Sequence, residues 1–157
     1  MHLSKDPRPC NCAALREAAR HVSQLYDRHL AEAGLRNTQF TILAELKRSG
    51  PIGINALAQS MVMDRTTLGR NILPLQRRRL IVARRSREDG RSKELELTAA
   101  GTARLEAGTA AWSRAQAQFE ARVGAKRVSD LRQLLRAIVG SDFALPTSHS
   151  VTGEDYE

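Results

Sequence analysis

The sequence predicts a mainly α fold carrying one small β-hairpin, and three observations predict it. From Asp64 onward the chain has helical periodicity, with Leu68, Ile72 and Leu75 on one stripe and Thr66, Arg70 and Arg77 on the opposite one. The period then changes: residues 81–87 and 93–98 are short extended segments around Glu88-Asp89-Gly90-Arg91-Ser92, a turn-rich tip. Between Asp64 and Lys93 ten Lys/Arg face three Asp/Glu, a local net charge of +7. A basic helix followed by a basic hairpin is the outline of a winged helix-turn-helix on DNA.

The remaining elements follow from their stop and start signals. Residues 1–11 read as a flexible arm containing Pro7 and Pro9. Asn11 is placed to cap a first helix reaching about Glu32, with Leu15, Ala18, Val22, Leu25, Tyr26 and Leu30 as its apolar stripe and Gly34 as its stop. A second helix starts near Asn37 or Thr38 and buries Phe40, Leu43 and Leu46 before Gly50-Pro51 ends it. A short helix at about Asn55 to Ser60 turns Leu57 and Ala58 inward, and Met61 to Met63 lead into the basic helix, which Asp64 caps. After the hairpin, Thr98 caps a long helix of about Ala99 to Val123 carrying Leu105, Trp112 and Phe119, until Gly124 interrupts it. A last helix, about Val128 to Val139, presents Leu131, Leu134, Leu135, Ile138 and Val139 as a broad apolar face. Residues 141–157 read as a disordered acidic tail. Residues 12–140 thus form one domain: a winged-helix lobe over about 36–100, and helices at about 12–33 and 99–140 with more apolar surface than that lobe needs to cover. Those helices are expected to form a homodimer, since readers of this type match palindromic half-sites with two-fold symmetry.

Composition narrows the function. A chain of 157 residues with 41% hydrophobic and 27% charged residues is long enough to bury a core without staples. No apolar run approaches the ~20 residues a membrane span needs, and no signal-peptide pattern opens the chain, so a cytoplasmic location is expected. The net charge is +8, yet the last 17 residues hold four acids and no Lys or Arg, leaving +12 on the other 140. That excess suits a polyanion, whose counterions are released as phosphates are neutralised. An enzyme would need a convergent set of nucleophile, base and oxyanion donors, and GxSxG, P-loop, HExxH and GxGxxG are all missing from the sequence. A single-strand or RNA binder would offer aromatic stacking platforms, but no Phe, Tyr or Trp lies between residues 64 and 98. The surviving rival is a nonspecific architectural DNA-binding protein, for which charge alone would serve. No cofactor is implied. Cys10 and Cys12 are spaced poorly for a disulfide and cannot by themselves complete a metal site.

These residues together resemble the MarR family of winged-helix transcriptional regulators. Asp64-Arg65-Thr66-Thr67-Leu68, ending in Leu75-Gln76-Arg77-Arg78-Arg79-Leu80-Ile81, looks like the family's recognition helix. Asp89-Gly90-Arg91-Ser92 looks like its wing tip, Leu97-Thr98-Ala99-Ala100-Gly101 like its exit into the fifth helix, and Gly34-Leu35 with Thr38-Gln39-Phe40 like its entry into the second. The resemblance spans roughly residues 12 to 140. It implies a homodimer on a pseudo-palindromic operator in double-stranded DNA, repressing or occasionally activating nearby genes, and released by a small molecule or an oxidant. Carried across, Arg65, Thr66, Thr67, Arg70 and Asn71 would enter the major groove, where Arg and Asn have donor geometry for bidentate base contacts. Arg77 and Lys93 would hold phosphates, and Arg91 would reach the minor groove. Asp89 would orient an arginine: Arg91, Arg85 or Arg87. The blander reading leaves Arg65 and Arg78 as solvated flank residues and Asp64 as a cap alone. Three residues depart from the family pattern. Gly69 stands where relatives often have a hydroxyl or larger residue and costs about 1 kcal/mol of helix propensity. Pro74 removes one helical hydrogen bond. Arg79 replaces a glycine common at the helix end, which argues against a left-handed cap there.

Two effector readings remain open. Cys12 lies where the peroxide-sensing OhrR branch has its reactive cysteine, with residues like Arg20 and Tyr26 at the same spacing, and the positive end of a helix favours a thiolate. Arg16 and Asn37, however, occupy positions where that branch has assisting tyrosines. Alternatively, Arg16 and Arg20 could meet a small aromatic or anionic carboxylate, with His21 or Tyr26 adding a hydrogen bond.

Overall fold

The computed structural model describes residues 10–143. The expected arm over 1–9 and the acidic tail past 143 lie outside the described residues. The elements are α1 (Asn11–Leu30) with a 3-10 turn (Ala31–Ala33), α2 (Asn37–Ser49), β1 (Ile52–Gly53), α3 (Ile54–Ser60), α4 (Arg65–Arg77), β2 (Ile81–Arg85), β3 (Lys93–Leu97), α5 (Ala99–Val123) and α6 (Ala125–Val139). The mainly α winged-helix fold is as the sequence predicts. Two boundaries move. Asn11 lies inside α1 rather than capping it or belonging to an arm; Cys10 is the N-cap residue, with no side-chain cap bond. The last helix starts at Ala125, three residues earlier than its apolar pattern suggests.

The chain divides into two compact units, with the break between Phe119 and Glu120. In the first, Leu30, Ile42, Leu43, Leu57, Leu68 and Leu75 are fully buried, each worth about 1.5–3 kcal/mol relative to exposure. Leu68, Ile72 and Leu75 are the predicted inner stripe of α4, so this core fixes which face of α4 looks outward. The sheet has the order β1-β3-β2, all antiparallel, with Ile81 opposite Leu97 and Arg85 opposite Lys93. Its third strand, β1, pairs Ile52 with Leu95 and Gly53 with Glu94. Two residues show no alternation, so the sequence pattern does not mark them as a strand.

Helix ends are satisfied by contacts from far along the chain. Gly34 adopts φ 63° and stops the α1 segment as expected. The carbonyls exposed there are taken by two arginines: Arg78 Nη1 donates to Gly34 O at 2.7 Å, and Arg104 Nη1 to Ala33 O at 2.9 Å. Arg78 is therefore a structural clamp and not a solvated flank. Asp27 of α1 accepts the Asn37 N–H at 2.6 Å, seating the start of α2.

The end of α4 departs from expectation. Arg79 takes φ 56°, with its N–H on Gln76 O and the Leu80 N–H on Leu75 O, both at 2.9 Å. The left-handed cap is present although no glycine supplies it. Burial of Leu80 and the start of β2 at Ile81 force the reversal. A non-glycine residue pays about 1 kcal/mol or more for that conformation. Arg79→Gly should therefore raise stability by about 1 kcal/mol, roughly 2–4 °C in a thermal melt; an unchanged or lower midpoint would mean the guanidinium offsets the strain.

α5 buries small residues as well as large ones. Gly101, Leu105, Gly108, Ala111 and Ala115 face inward, whereas Trp112 and Phe119 are only half-buried. Phe40 and Trp112 stack at 6.1 Å between centroids and 18° between planes. Thr98 performs its predicted cap, accepting the Gly101 N–H at 3.0 Å.

In α1 the apolar stripe packs only from Val22 onward; residues 11–21 are exposed throughout, Leu15 included. In the second unit Val128 is buried, but Leu131, Leu134, Leu135 and Val139 are exposed.

Candidate nucleic-acid interface

The interface is built from the turn before α4, α4 itself and the β2–β3 hairpin. Buried Ala58 accepts the Met63 N–H at 2.9 Å, and Val62 adopts φ 52°, which reverses the chain within three residues. Asp64 then caps α4. Its Oδ1 accepts the Thr67 N–H at 2.8 Å and its Oδ2 the Thr67 hydroxyl at 2.5 Å. The Thr67 hydroxyl, followed by that residue's N–H, holds the Asp64 carboxyl below its ordinary value. A carboxyl with a lowered folded pKa stabilises above the ordinary carboxylate range, and that contribution is lost as pH falls through the lowered value. The stability difference between wild type and Asp64→Ala, read by urea unfolding, should be constant from pH 5 to 7 and shrink in acid as the cap protonates. A difference that persists unchanged at acid pH would remove the ionised cap from the account.

The predicted base-reading residues fall into two groups. The side chains of Arg65, Thr66 and Arg70 are exposed, and no hydrogen bond or ion pair among the described residues engages them. Thr67 is exposed too, but its hydroxyl is spent on the cap, and Asn71 donates Nδ2 to the Thr67 carbonyl at 2.9 Å. Arg77 is exposed at the last position of α4. α4 runs as one helix to Arg77 with Pro74 inside it.

In the hairpin, Arg85, Arg87, Arg91 and Lys93 are exposed and likewise unpaired among the described residues, whereas Arg84 is paired with Glu96 at 2.5 Å. Arg84, Arg85 and Arg87 line an open cavity of about 640 Å³ together with Pro51, Glu88, Glu94 and Glu96. Asp89 is engaged by the main chain of its own turn. Its Oδ1 accepts the main-chain N–H of Arg91 at 3.0 Å, and its carbonyl accepts from the N–H and hydroxyl of Ser92. It makes no ion pair with an arginine among the described residues. A short carboxylate two residues before an amide folds back on the backbone more readily than it reaches a distant guanidinium. Asp89 shapes the tip that carries Arg91.

Sequence reading missed Ser86. It is buried, donates Oγ to Glu94 Oε1 at 2.8 Å, and accepts the N–H groups of Glu88 and Asp89 at 3.2 and 3.3 Å. Its own N–H reaches Ser92 O at 2.9 Å, closing the tip across the hairpin. The available signal was a serine at the head of a Gly- and Asp-containing turn, where its hydroxyl can mimic a backbone acceptor.

The candidate effector residues are all on α1. Cys12, Arg16 and Arg20 recur every four residues and share one exposed face. Tyr26 does not join them within one chain. It is buried, its hydroxyl donates to Gln116 of α5, and it lies fourteen residues beyond Cys12, about 21 Å along the helix. Both cysteines are free and exposed. Among the described residues, no group of three or more His, Cys, Asp or Glu side chains gathers to hold a metal ion, and no helix is long and apolar enough to cross a membrane.

Comparison with known proteins bears on this arrangement. The MarR family model matches residues 33–92, which contain α2 to the wing tip. No curated protein sequence matches. Among solved structures, the M. tuberculosis transcriptional regulator MosR in complex with DNA is 36% identical, with TM-score 0.67, over 82% of this chain and 98% of that one. A probable transcriptional regulator of Pseudomonas aeruginosa is 31% identical, with TM-score 0.75, over 83% and 97%. Wild-type MarR of E. coli, without ligand, shares the fold at 18% identity and TM-score 0.68, over 83% and 97%. With the predicted helix, wing and exit motif in place, the chain belongs to the MarR family of transcriptional regulators.

Proposed function

We propose that this chain is a homodimeric, sequence-specific DNA-binding repressor whose two copies of α4 enter successive major grooves of a pseudo-palindromic operator. One observation carries the reading: Arg65, Thr66 and Arg70 on α4, and Arg87, Arg91 and Lys93 on the hairpin, are exposed cations and a hydroxyl with no internal partner among the described residues. Arg78 and Arg84, by contrast, are used up inside the fold. Arg65, Thr66 and Arg70 read base edges. Thr67 offers its methyl, and Asn71 its free carbonyl and second N–H. Arg77, Arg85 and Lys93 hold phosphates, and Arg91, on the tip shaped by Asp89, enters the minor groove. The exposed apolar faces of α1 and α6 support the homodimer.

Release from DNA acts through α1, by one of two chemistries on the face shared by Cys12, Arg16 and Arg20. A small carboxylate ligand would pair with Arg16 and Arg20. An organic hydroperoxide would instead be attacked by the Cys12 thiolate, giving the sulfenic acid and, with one proton taken up, the alcohol. Tyr26 would support the thiol chemistry only from a second copy, since its own chain holds it about 21 Å along the helix from Cys12.

The test is competition binding at fixed salt between the chain's own upstream DNA and unrelated duplex, with and without hydroperoxide, for wild type and Cys12→Ser. The expected result is a preference of ~10³-fold or more for one palindromic site, from a species that sediments as a dimer. Equal binding to all duplexes would leave a nonspecific architectural protein. Release by peroxide in wild type alone would assign the thiol switch, and indifference in both would retire it and direct the search to carboxylate ligands.

A further inference from the structure

Three glycines lie inside helices, and two have an internal reason. A Cβ on Gly101 would meet Leu80 O at 2.0 Å, and one on Gly108 would meet Phe40 Cδ2 at 3.0 Å. Gly69, in the middle of α4, has none. A Cβ there would meet nothing within 4 Å, and its φ is not one that demands glycine. It lowers the helix propensity relative to alanine, and nothing within the chain uses the space.

The neighbours of that space on the helix surface are the residues three and four away on either side, Arg65, Thr66, Ile72 and Leu73, of which Ile72 is buried. Thr66 is exposed, and Leu73 is 46% exposed, an uncovered large apolar side chain on the helix that carries the unpaired arginines. The Gly69 N–H and C=O lie within the helix ladder, so the gap presents C–H surface rather than free donors. It has room for an apolar group and no free backbone donor of its own, with the exposed Arg65 at its N-terminal border.

We propose that the gap at Gly69, between Thr66 and Leu73, receives the 5-methyl group of a thymine and makes α4 selective for that base. The inference rests on α4 lying in the major groove, where the thymine methyl is the one apolar group a base pair presents. Gly69 contributes by leaving the methyl room, and Leu73 and the Thr66 methyl by covering it.

The experiment starts from the duplex that the full-length protein selects out of a randomised pool. Each thymine of a half-site is replaced by deoxyuridine, which differs only by that methyl, and affinities are measured for wild type, Gly69→Ala, Leu73→Ala and Arg70→Ala. In wild type, one symmetry-related thymine position should cost about tenfold on losing its methyl, at the low end of what a methyl-sized contact contributes. Gly69→Ala should melt higher than wild type, yet bind the thymine duplex about tenfold more weakly. It should bind the deoxyuridine duplex within about twofold of its own thymine value, because its Cβ and the methyl compete for one volume. Leu73→Ala should likewise lose the discrimination. The inference is overturned if no deoxyuridine substitution matters to wild type, or if Gly69→Ala binds and discriminates like wild type. Arg70→Ala separates the two levels: if it leaves binding intact, the placement of α4 falls and this inference with it. If Arg70→Ala weakens binding while the Gly69 results are negative, only the thymine contact falls.

Discussion

Gly101→Ala should destabilise the protein by about 3 kcal/mol, the upper range for overpacking a closed site. The added Cβ would stand 2.0 Å from the Leu80 carbonyl oxygen and 3.0 Å from both the Leu80 carbonyl carbon and Leu97 Cδ2. A clash with a flexible side-chain tip relaxes cheaply, but this one is with main chain. Leu80 is held on both sides: its N–H is bonded to Leu75 O at 2.9 Å, and its carbonyl accepts the Thr98 N–H at 3.1 Å. The Thr98 hydroxyl lies 2.8 Å from Arg79 O and 3.1 Å from Leu80 O, within donating reach of both, while accepting the Gly101 N–H. Moving Leu80 would disturb the end of α4, the first pair of the hairpin and the cap of α5 at once. A glycine three residues after the capping threonine is thus required because the first turn of α5 rests on the backbone that joins α4 to the wing. Gly108→Ala is the control, since its Cβ meets side chains and no main chain, the Phe40 ring at 3.0 Å and Leu35 Cδ1 at 3.4 Å; about 1 kcal/mol is expected. Urea unfolding at one fixed protein concentration measures both, because dimerisation would otherwise shift the midpoints. A Gly101→Ala protein within 1 kcal/mol of wild type would mean α5 can slide on Leu80.

That case marks what the sequence can and cannot disclose. Local chemistry is legible. The Asp64 cap, the Leu68-Ile72-Leu75 stripe, the Gly34 stop and the Thr98 cap each depend on residues within a few positions, and each is found where the pattern puts it. Contacts across long separations are not. Arg78 reads as one more cation of a basic run, yet its partner is a carbonyl 44 residues away, and that of Arg104 is 71 away. β1 is too short to carry a period and exists only because β3 offers it an edge.

The same division runs through the interface. Its charged outline was visible as a charge excess, but charge alone does not say which cations are spent internally. Asp89 and Ser86 are examples of polar groups whose nearest unsatisfied partner was the backbone of their own turn. Arg79 fails in the other direction: local preference argues against φ 56° there, and burial of Leu80 overrides it. The faces of α1 and α6 were legible as apolar stripes, but which of their residues are exposed is read only from the fold.

Arg70→Ala and Arg77→Ala should separate reading from holding on one helix. Both side chains are exposed on the outer stripe of α4 and neither has an internal partner among the described residues, so each can be removed with little effect on folding. Arg70 lies mid-helix, one turn beyond Thr66. Its loss should cost about 1–3 kcal/mol at each half-site, or about 30-fold or more in affinity for the palindrome when both copies of a dimer lose it. Affinity for unrelated duplex should fall far less, so the specificity ratio collapses. Arg77 closes the helix, where an arginine reaches the strand rather than the base edges. Its loss should weaken every duplex by a similar factor and leave the ratio standing. It should also flatten the dependence of log affinity on log salt by about one per phosphate contact, about two for a dimer. Titrations of both variants against selected and unrelated duplex, from 50 to 200 mM salt, decide the matter. If Arg77→Ala lost specificity while Arg70→Ala changed only the salt slope, α4 would lie in the groove by its C-terminal end. The Asp64 cap would then fix the end of the helix remote from the bases, and the roles drawn for Arg65 and Thr66 would have to move with it.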